Sequence, residues 1–177
     1  MSTPKLYDLI NSAALSMDPQ PMIVWGIPAD FNVTVDDFEK YETAILILPS
    51  SIVSDPPNNN TIKERELAKI LILKQSDTAE SMANRKWNIE QAEDFGRELY
   101  SRLFSLAKDI ASMSNKGSIS VDGYEFESAL GESGLEGYFN IFDSQLDGIG
   151  MLLSCERTYQ ADPCAEGAGK VVVNLVE

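Results

Sequence analysis

Apolar residues recur along this chain in two rhythms. Leu6, Leu9, Ile10, Ala13 and Ala14 fall at threes and fours, which gathers one face of an α-helix. Ser2 or Thr3 is placed to cap that helix, and Pro4 fits its first turn, where a missing N–H costs nothing. "DPQP" at 18–21 ends it. A tighter rhythm follows. "MIVWGI" at 22–27 is a short β-rich run closed by Pro28, and "ETAILILP" at 42–49 is a continuous block of β-branched and leucine residues stopped by proline. Such a block predicts a strand buried on both faces. "TIKERELAKILILKQ" at 61–75 is helical in character over its first half. Its second half alternates isoleucine and leucine, and the whole segment is predicted as one long strand.

The helical rhythm returns over 88–113. Ala92, Gly96, Leu99, Leu103, Leu106, Ile110 and Met113 repeat at fours and threes, with Arg97, Glu98, Arg102 and Lys108 off that face. Asn88 is the expected cap, and Glu90, Glu93 and Asp94 load the end where the helix dipole favours acid. "NKG" at 115–117 is expected to terminate it. This seam predicts packing on a sheet, with a coiled-coil partner as the alternative. Three β-rich pieces follow: "SISVDGYEFES", "GLEGYFNIFDSQL" and "IGMLLSCERTY". Asp122-Gly123 and Asp147-Gly148 are the dipeptides that two-residue hairpin turns prefer, so both are predicted as turns. "VVVNLV" at 171–176 reads as a last strand beyond a Gly- and Ala-rich spacer. The pattern predicts an α+β fold: a mixed or antiparallel sheet with one long helix packed on it and an N-terminal helix. Residues 1–159 are expected to form a single domain, with 160–177 a C-terminal arm or edge strand.

"SSIVSDPPNNN" breaks the pattern. Two prolines and three asparagines suit neither a sheet interior nor a helix interior. An exposed loop is expected there, longer than the usual roughly 4–6 residues. It is either a contact surface or a solvated excursion.

Charge and composition narrow the function. The chain has 177 residues, 14 basic and 28 acidic, for a net charge of −14. Such a surface repels phosphate backbones and anionic membranes. No apolar run nears the roughly 18–20 residues of a membrane helix. The N-terminus lacks the layout of a signal peptide, so synthesis in a cytoplasm is expected. There is no histidine, which removes Ser-His-Asp and Cys-His catalysis. Two cysteines are too few for a Cys-rich structural zinc site within one chain.

The stretch "FDSQLDGIGMLLSCERTYQADPC" at 142–164 poses the question of chemistry most sharply. Asp143 and Asp147 lack the alternating ligands and distal glutamate of a calcium loop, so a hairpin is the expected reading. Cys155 and Cys164 are expected as free thiols in a reducing cytoplasm, or as a disulfide in an oxidising milieu. Neither has a histidine to activate it. Acid pairs such as "VDDFE" and "EQAED" are what a chain this acidic contains by chance. No Gly-rich phosphate loop occurs, because "GAG" at 167–169 neither follows a strand nor opens a helix. No catalytic, cofactor or metal residue is assigned.

The order of elements, with "ETAILILP", "KILILKQSDTAES", the helix from Asn88 and "FDSQLDGIGMLLS", resembles the tail-terminator or tail-completion proteins of tailed bacteriophages. More narrowly it resembles the neck ring proteins of short-tailed crAss-like phages. The likeness runs from about residue 4 to 159 and leaves "CAEGAGKVVVNLVE" outside it. It implies a non-enzymatic structural protein of the virion, made in the host cytoplasm. Such a protein forms a homo-oligomeric ring, six- or twelve-fold, between portal, neck and tail proteins. The genome passes through its lumen without specific binding, and no membrane is involved. Ile52, Val53, Pro56, Pro57, Val171, Val172, Val173 and Leu175 are the candidate subunit contacts. The competing expectation, from charge alone, is a small acidic adaptor or inhibitor that binds a host protein.

Overall fold

The computed structural model describes residues 5–26, 40–48, 51–54, 61–76, 81–113, 117–127 and 146–160. Helix α1 (Leu6–Leu15) is followed by strands β1 (Met22–Trp25), β2 (Thr43–Ile47), β3 (Ser51–Ser54) and β4 (Thr61–Gln75). Helix α2 (Met82–Met113) then leads to β5 (Gly117–Glu127) and β6 (Leu146–Gln160). The six strands form one mixed sheet in the order β1-β2-β4-β6-β5, with β3 also on β4. β1 and β2 pair in parallel and the other pairs are antiparallel. The architecture is the α+β class that the two hydrophobic rhythms predict.

β4 and β6 are the axis of the sheet. They pair over fifteen residues, from Thr61 opposite Gln160 to Gln75 opposite Leu146. The single-strand reading of 61–75 therefore holds along its whole length. β2 and β3 follow one another along the same side of β4. Ile47 lies opposite Ile70 and Ser51 opposite Leu67. The chain thus advances four residues against three on β4 between Ile47 and Ser51.

Side-chain alternation sorts the sheet into two faces. Ile45, Ile47, Ala68, Ile70, Ile72, Ile149, Met151, Leu153 and Cys155 face both helices and form the main core with them. Leu6, Leu9, Ile10, Ala13 and Ala14 of α1 are all buried there, as their spacing predicts. So are Ala92, Leu99 and Leu103 of α2, while Met113 at the end of the seam is exposed. The opposite face holds a smaller cluster of Ala44, Leu46, Leu71, Leu73 and Leu146. That is why "ETAILIL" is apolar without interruption: its alternate residues serve two cores. With 32 residues, α2 is about 48 Å long, and the fifteen-residue strands are about 50 Å. The helix therefore matches the strands it covers. Gly96 permits the close approach, because a Cβ there would lie 2.8 Å from the Phe126 ring.

Several local expectations are corrected. Helix α2 begins at Met82, so Asn88 lies inside it and is buried. Ser81 caps it, its Oγ accepting the Asn84 backbone N–H at 3.3 Å. "MANRKW" carries no apolar seam to reveal that first turn and a half. Lys5, not Ser2 or Thr3, precedes the first turn of α1, and its backbone N–H donates to Asp8 Oδ2 at 3.1 Å. Neither Asp-Gly pair is a turn. Asp147 and Gly148 lie within β6 opposite Lys74 and Leu73. At Asp122-Gly123 the register of β5 shifts between Val121 and Gly123, and Asp122 is the bulge residue. In both places the ladder with a long neighbour outweighs turn preference. Ser51–Ser54, expected as loop, is strand β3.

The two glycines of those pairs differ in surroundings. A Cβ on Gly148 would collide with the Ile72 carbonyl oxygen of β4, whereas one on Gly123 meets nothing within 4 Å. Gly148→Ala is expected to lose about 2 kcal/mol or more of stability in urea unfolding. Gly123→Ala should stay within about 0.5 kcal/mol of the parent. Equal effects at the two sites would contradict the β6 assignment.

Candidate functional site

The expected contact residues divide. Ile52 stands on β3 opposite Glu66 and is about half exposed. Val53 is its neighbour opposite Arg65. Pro56, Pro57, Val171, Val172, Val173 and Leu175 lie outside the described residues, as do Asp143 and Cys164. Of the eight, Ile52 and Val53 alone fall among the described residues, side by side on β3.

The structure shows instead two ion pairs, one buried and one partly buried, that the sequence reading missed. Glu66 of β4 and Arg157 of β6 both project from the helix-facing side, and both are buried. Arg157 Nη2 donates to Glu66 Oε2 at 2.6 Å, and the backbone N–H of Leu6 donates to the same oxygen at 3.0 Å. A carboxylate thus meets the first turn of α1, where the helix dipole favours negative charge. At the other end of the sheet, Arg85 of α2 holds Asp147 of β6 through two bonds, at 2.6 and 2.8 Å. That pair fastens the start of α2 to the sheet. Arg102 does similar work between helices. It donates to the Ser16 carbonyl and to Ser16 Oγ, just past the end of α1. A signal for the Glu66 pair existed in the sequence. On β4 and β6, Glu66 and Arg157 share the parity of Ile70, Ile72, Met151 and Leu153, an acid and a base in apolar rows.

Four acids of α2 pair along the helix. Arg97 reaches Glu93 and Asp94, Arg102 reaches Glu98, and Lys86 reaches Glu90. These are exposed pairs of small energetic weight. Among the described residues, no three His, Cys, Asp or Glu side chains gather as a metal site would require. No helix among them is long and apolar enough to cross a membrane. Cys155 is a buried free thiol. Burial pushes it up from an ordinary 9.0 to about 11, with Arg157 pulling it down and Glu66 and Asp122 adding to the rise. It stays protonated at neutral pH and is a poor nucleophile.

Two surface features remain. A shallow cleft of about 460 Å³ is lined by Lys40, Tyr41, Glu42, Lys74, Gln75, Trp87 and Asn88. Lys74 Nζ stands 6.0 Å from the Trp87 ring centre. The second is an aromatic shelf where α2 overlies β5. Tyr100 and Tyr124 have ring centres 4.3 Å apart, and Tyr124 and Phe126 4.8 Å. Phe104 extends the shelf outward and is half exposed. Arg97 covers the Phe126 ring at 5.5 Å. Beyond the shelf lies β5, an end strand of the sheet.

No protein-family model matches this chain, and no curated protein matches its sequence.

Two expected outcomes follow from the buried groups. Glu66→Leu leaves Arg157 without its carboxylate and should cost about 3–5 kcal/mol, while Glu66→Leu with Arg157→Met should recover most of it. Denaturant unfolding of both variants checks this, and a double variant no better than the single one would mean the pair is not coupled. The raised thiol gives a pH dependence. The unfolded thiol ionises first, so the stability it contributes is complete below about pH 9 and lost as pH rises toward 11. Tyr159, also raised, chiefly by burial and by its bond to Glu64, acts in the same sense. Cys155→Ala should remove part of the alkaline loss, up to about 2 kcal/mol. An unchanged slope between about pH 8 and about pH 10.5 would rule the thiol out as its source.

Proposed function

We propose that this protein is a structural ring subunit of the neck of a tailed-phage virion, standing between portal and tail proteins. The observation that carries the reading is the order and proportion of elements. An N-terminal helix, short strands, one long strand, one long helix and two closing strands build a single mixed sheet with a helix along its length. The phage ring proteins that the sequence resembles have that layout. The sheet ends in different strands on its two sides. Two unlike edges allow a head-to-tail contact, and head-to-tail contact closes rings when its rotation closes. A net charge of −14 lets a subunit line a channel through which DNA slides without adhering.

Electron microscopy tests the reading directly. Concentrated protein should show rings, and antibody against it should label virions at the neck. Protein that stays monomeric at every concentration and is absent from particles would refute it.

A further inference from the structure

The sheet presents unequal edges. On one side lie β1 and β3, four residues each, and on the other β5, eleven residues long. Among the described residues, β5 is paired on its β6 side alone. A long unpaired edge is a template for another strand. Two features make this one selective. The Asp122 bulge breaks its regularity, and Asp122, Glu125 and Glu127 give it three acids and no base.

We infer that the β5 edge accepts the C-terminal run "VVVNLV", residues 171–176, from a second copy of this chain. The inference rests on the ring reading and names its contact. Length is the first argument. Six residues extend about 20 Å, more than β1 or β3 offers and within what β5 offers. Alternation is the second. Val171, Val173 and Leu175 share one face of an extended run. Beside β5 that face meets the shelf of Tyr124, Phe126 and Phe104. Charge is the third. Residues 171–176 carry no charge, so the run adds no acid of its own to an acidic edge.

Strand direction argues for a second copy. β6 runs antiparallel to β5, and Tyr159 at its end lies opposite Gly117, the first residue of β5. The shortest return from there to its own β5 edge would lie parallel to it. A run from another copy is free to enter antiparallel, the more stable pairing.

Cysteine cross-linking on the full chain tests this. In a Cys164→Ser background, one tagged chain carries Tyr124→Cys and an untagged chain carries Val173→Cys. Ser120→Cys, exposed on the same strand, replaces Tyr124→Cys if that variant folds poorly. Mixing and mild oxidation should join tagged to untagged chains. Deleting residues 168–177 should leave a folded protein by circular dichroism, with self-association weakened about tenfold or more. Deleting residues 55–60 should weaken it less. The inference fails if cross-links form solely inside a chain bearing both cysteines, or if the truncated chain unfolds. Rings that form without cross-links overturn this contact and leave the ring reading standing. Cross-linked chains that never form rings do the reverse. Neither association nor cross-linking at high concentration overturns both.

Discussion

The fifteen-residue antiparallel pairing of β4 with β6 places every other element. β2 and β3 lie along one side of β4, β5 along the outer side of β6, and both helices on the face that the two central strands share. Because side chains alternate, a slip of one residue would turn every inward group of one strand outward. Ile70 and Ile72 would leave the core while Leu71 and Leu73 entered it. Apolar residues on both faces at 70–73 make that slip less costly than in a one-sided sheet. Hydrophobic pattern alone therefore fixes the register weakly at the apolar end of β4.

The charged groups supply what the apolar pattern lacks. Arg157 reaches Glu66 near one end of the strand pair, and Arg85 reaches Asp147 near the other. A slipped register would put a buried carboxylate or guanidinium where its partner is not. An uncompensated buried charge costs several kcal/mol, comparable with a small domain's net stability. The Glu66 carboxylate also binds the first N–H of α1, and Arg85 comes from the first turns of α2. The Glu66 pair, which bridges the two strands, thus also marks where α1 begins on the sheet, and the Arg85 pair marks where α2 begins on β6. Gly148 adds a steric constraint, since β6 there approaches the β4 backbone too closely for a side chain.

Much of this was legible in the sequence, and what was not had a common cause. The face of α1, the seam of α2 and the apolar blocks at 43–47 and 70–73 were readable because burial imposes a period. The first six residues of α2 were hidden because they are mostly exposed and their apolar members do not fall at helical spacing, leaving no seam to count. Asp122-Gly123 and Asp147-Gly148 misled because turn preference is local while strand pairing is not: Asp147 lies opposite a residue more than seventy positions earlier in the chain. Ser51–Ser54 was lost behind the prolines and asparagines that follow it. Arg157 and Glu66 carried a signal in their parity, but parity is useful only once both strands and their register are known.

The edges follow from the same axis. A sheet built outward from two fifteen-residue strands must end somewhere, and it ends in strands of unequal length. On the short side, the backbone exposed by β1 and β3 is divided between two four-residue pieces, too little to hold a partner strand firmly. On the long side, β5 has no second neighbour among the described residues and is long enough to pair, and its acids and its bulge limit what pairs there. In the ring reading these limits decide the kind of contact that works. Copies with a charge of −14 repel one another, so exposed ion pairs add little to association. Backbone hydrogen bonds and valine burial bring no charge of their own. A neutral β-branched run against an acidic edge is therefore the contact that opposes the repulsion at least cost, and it leaves the acidic surface free to face DNA.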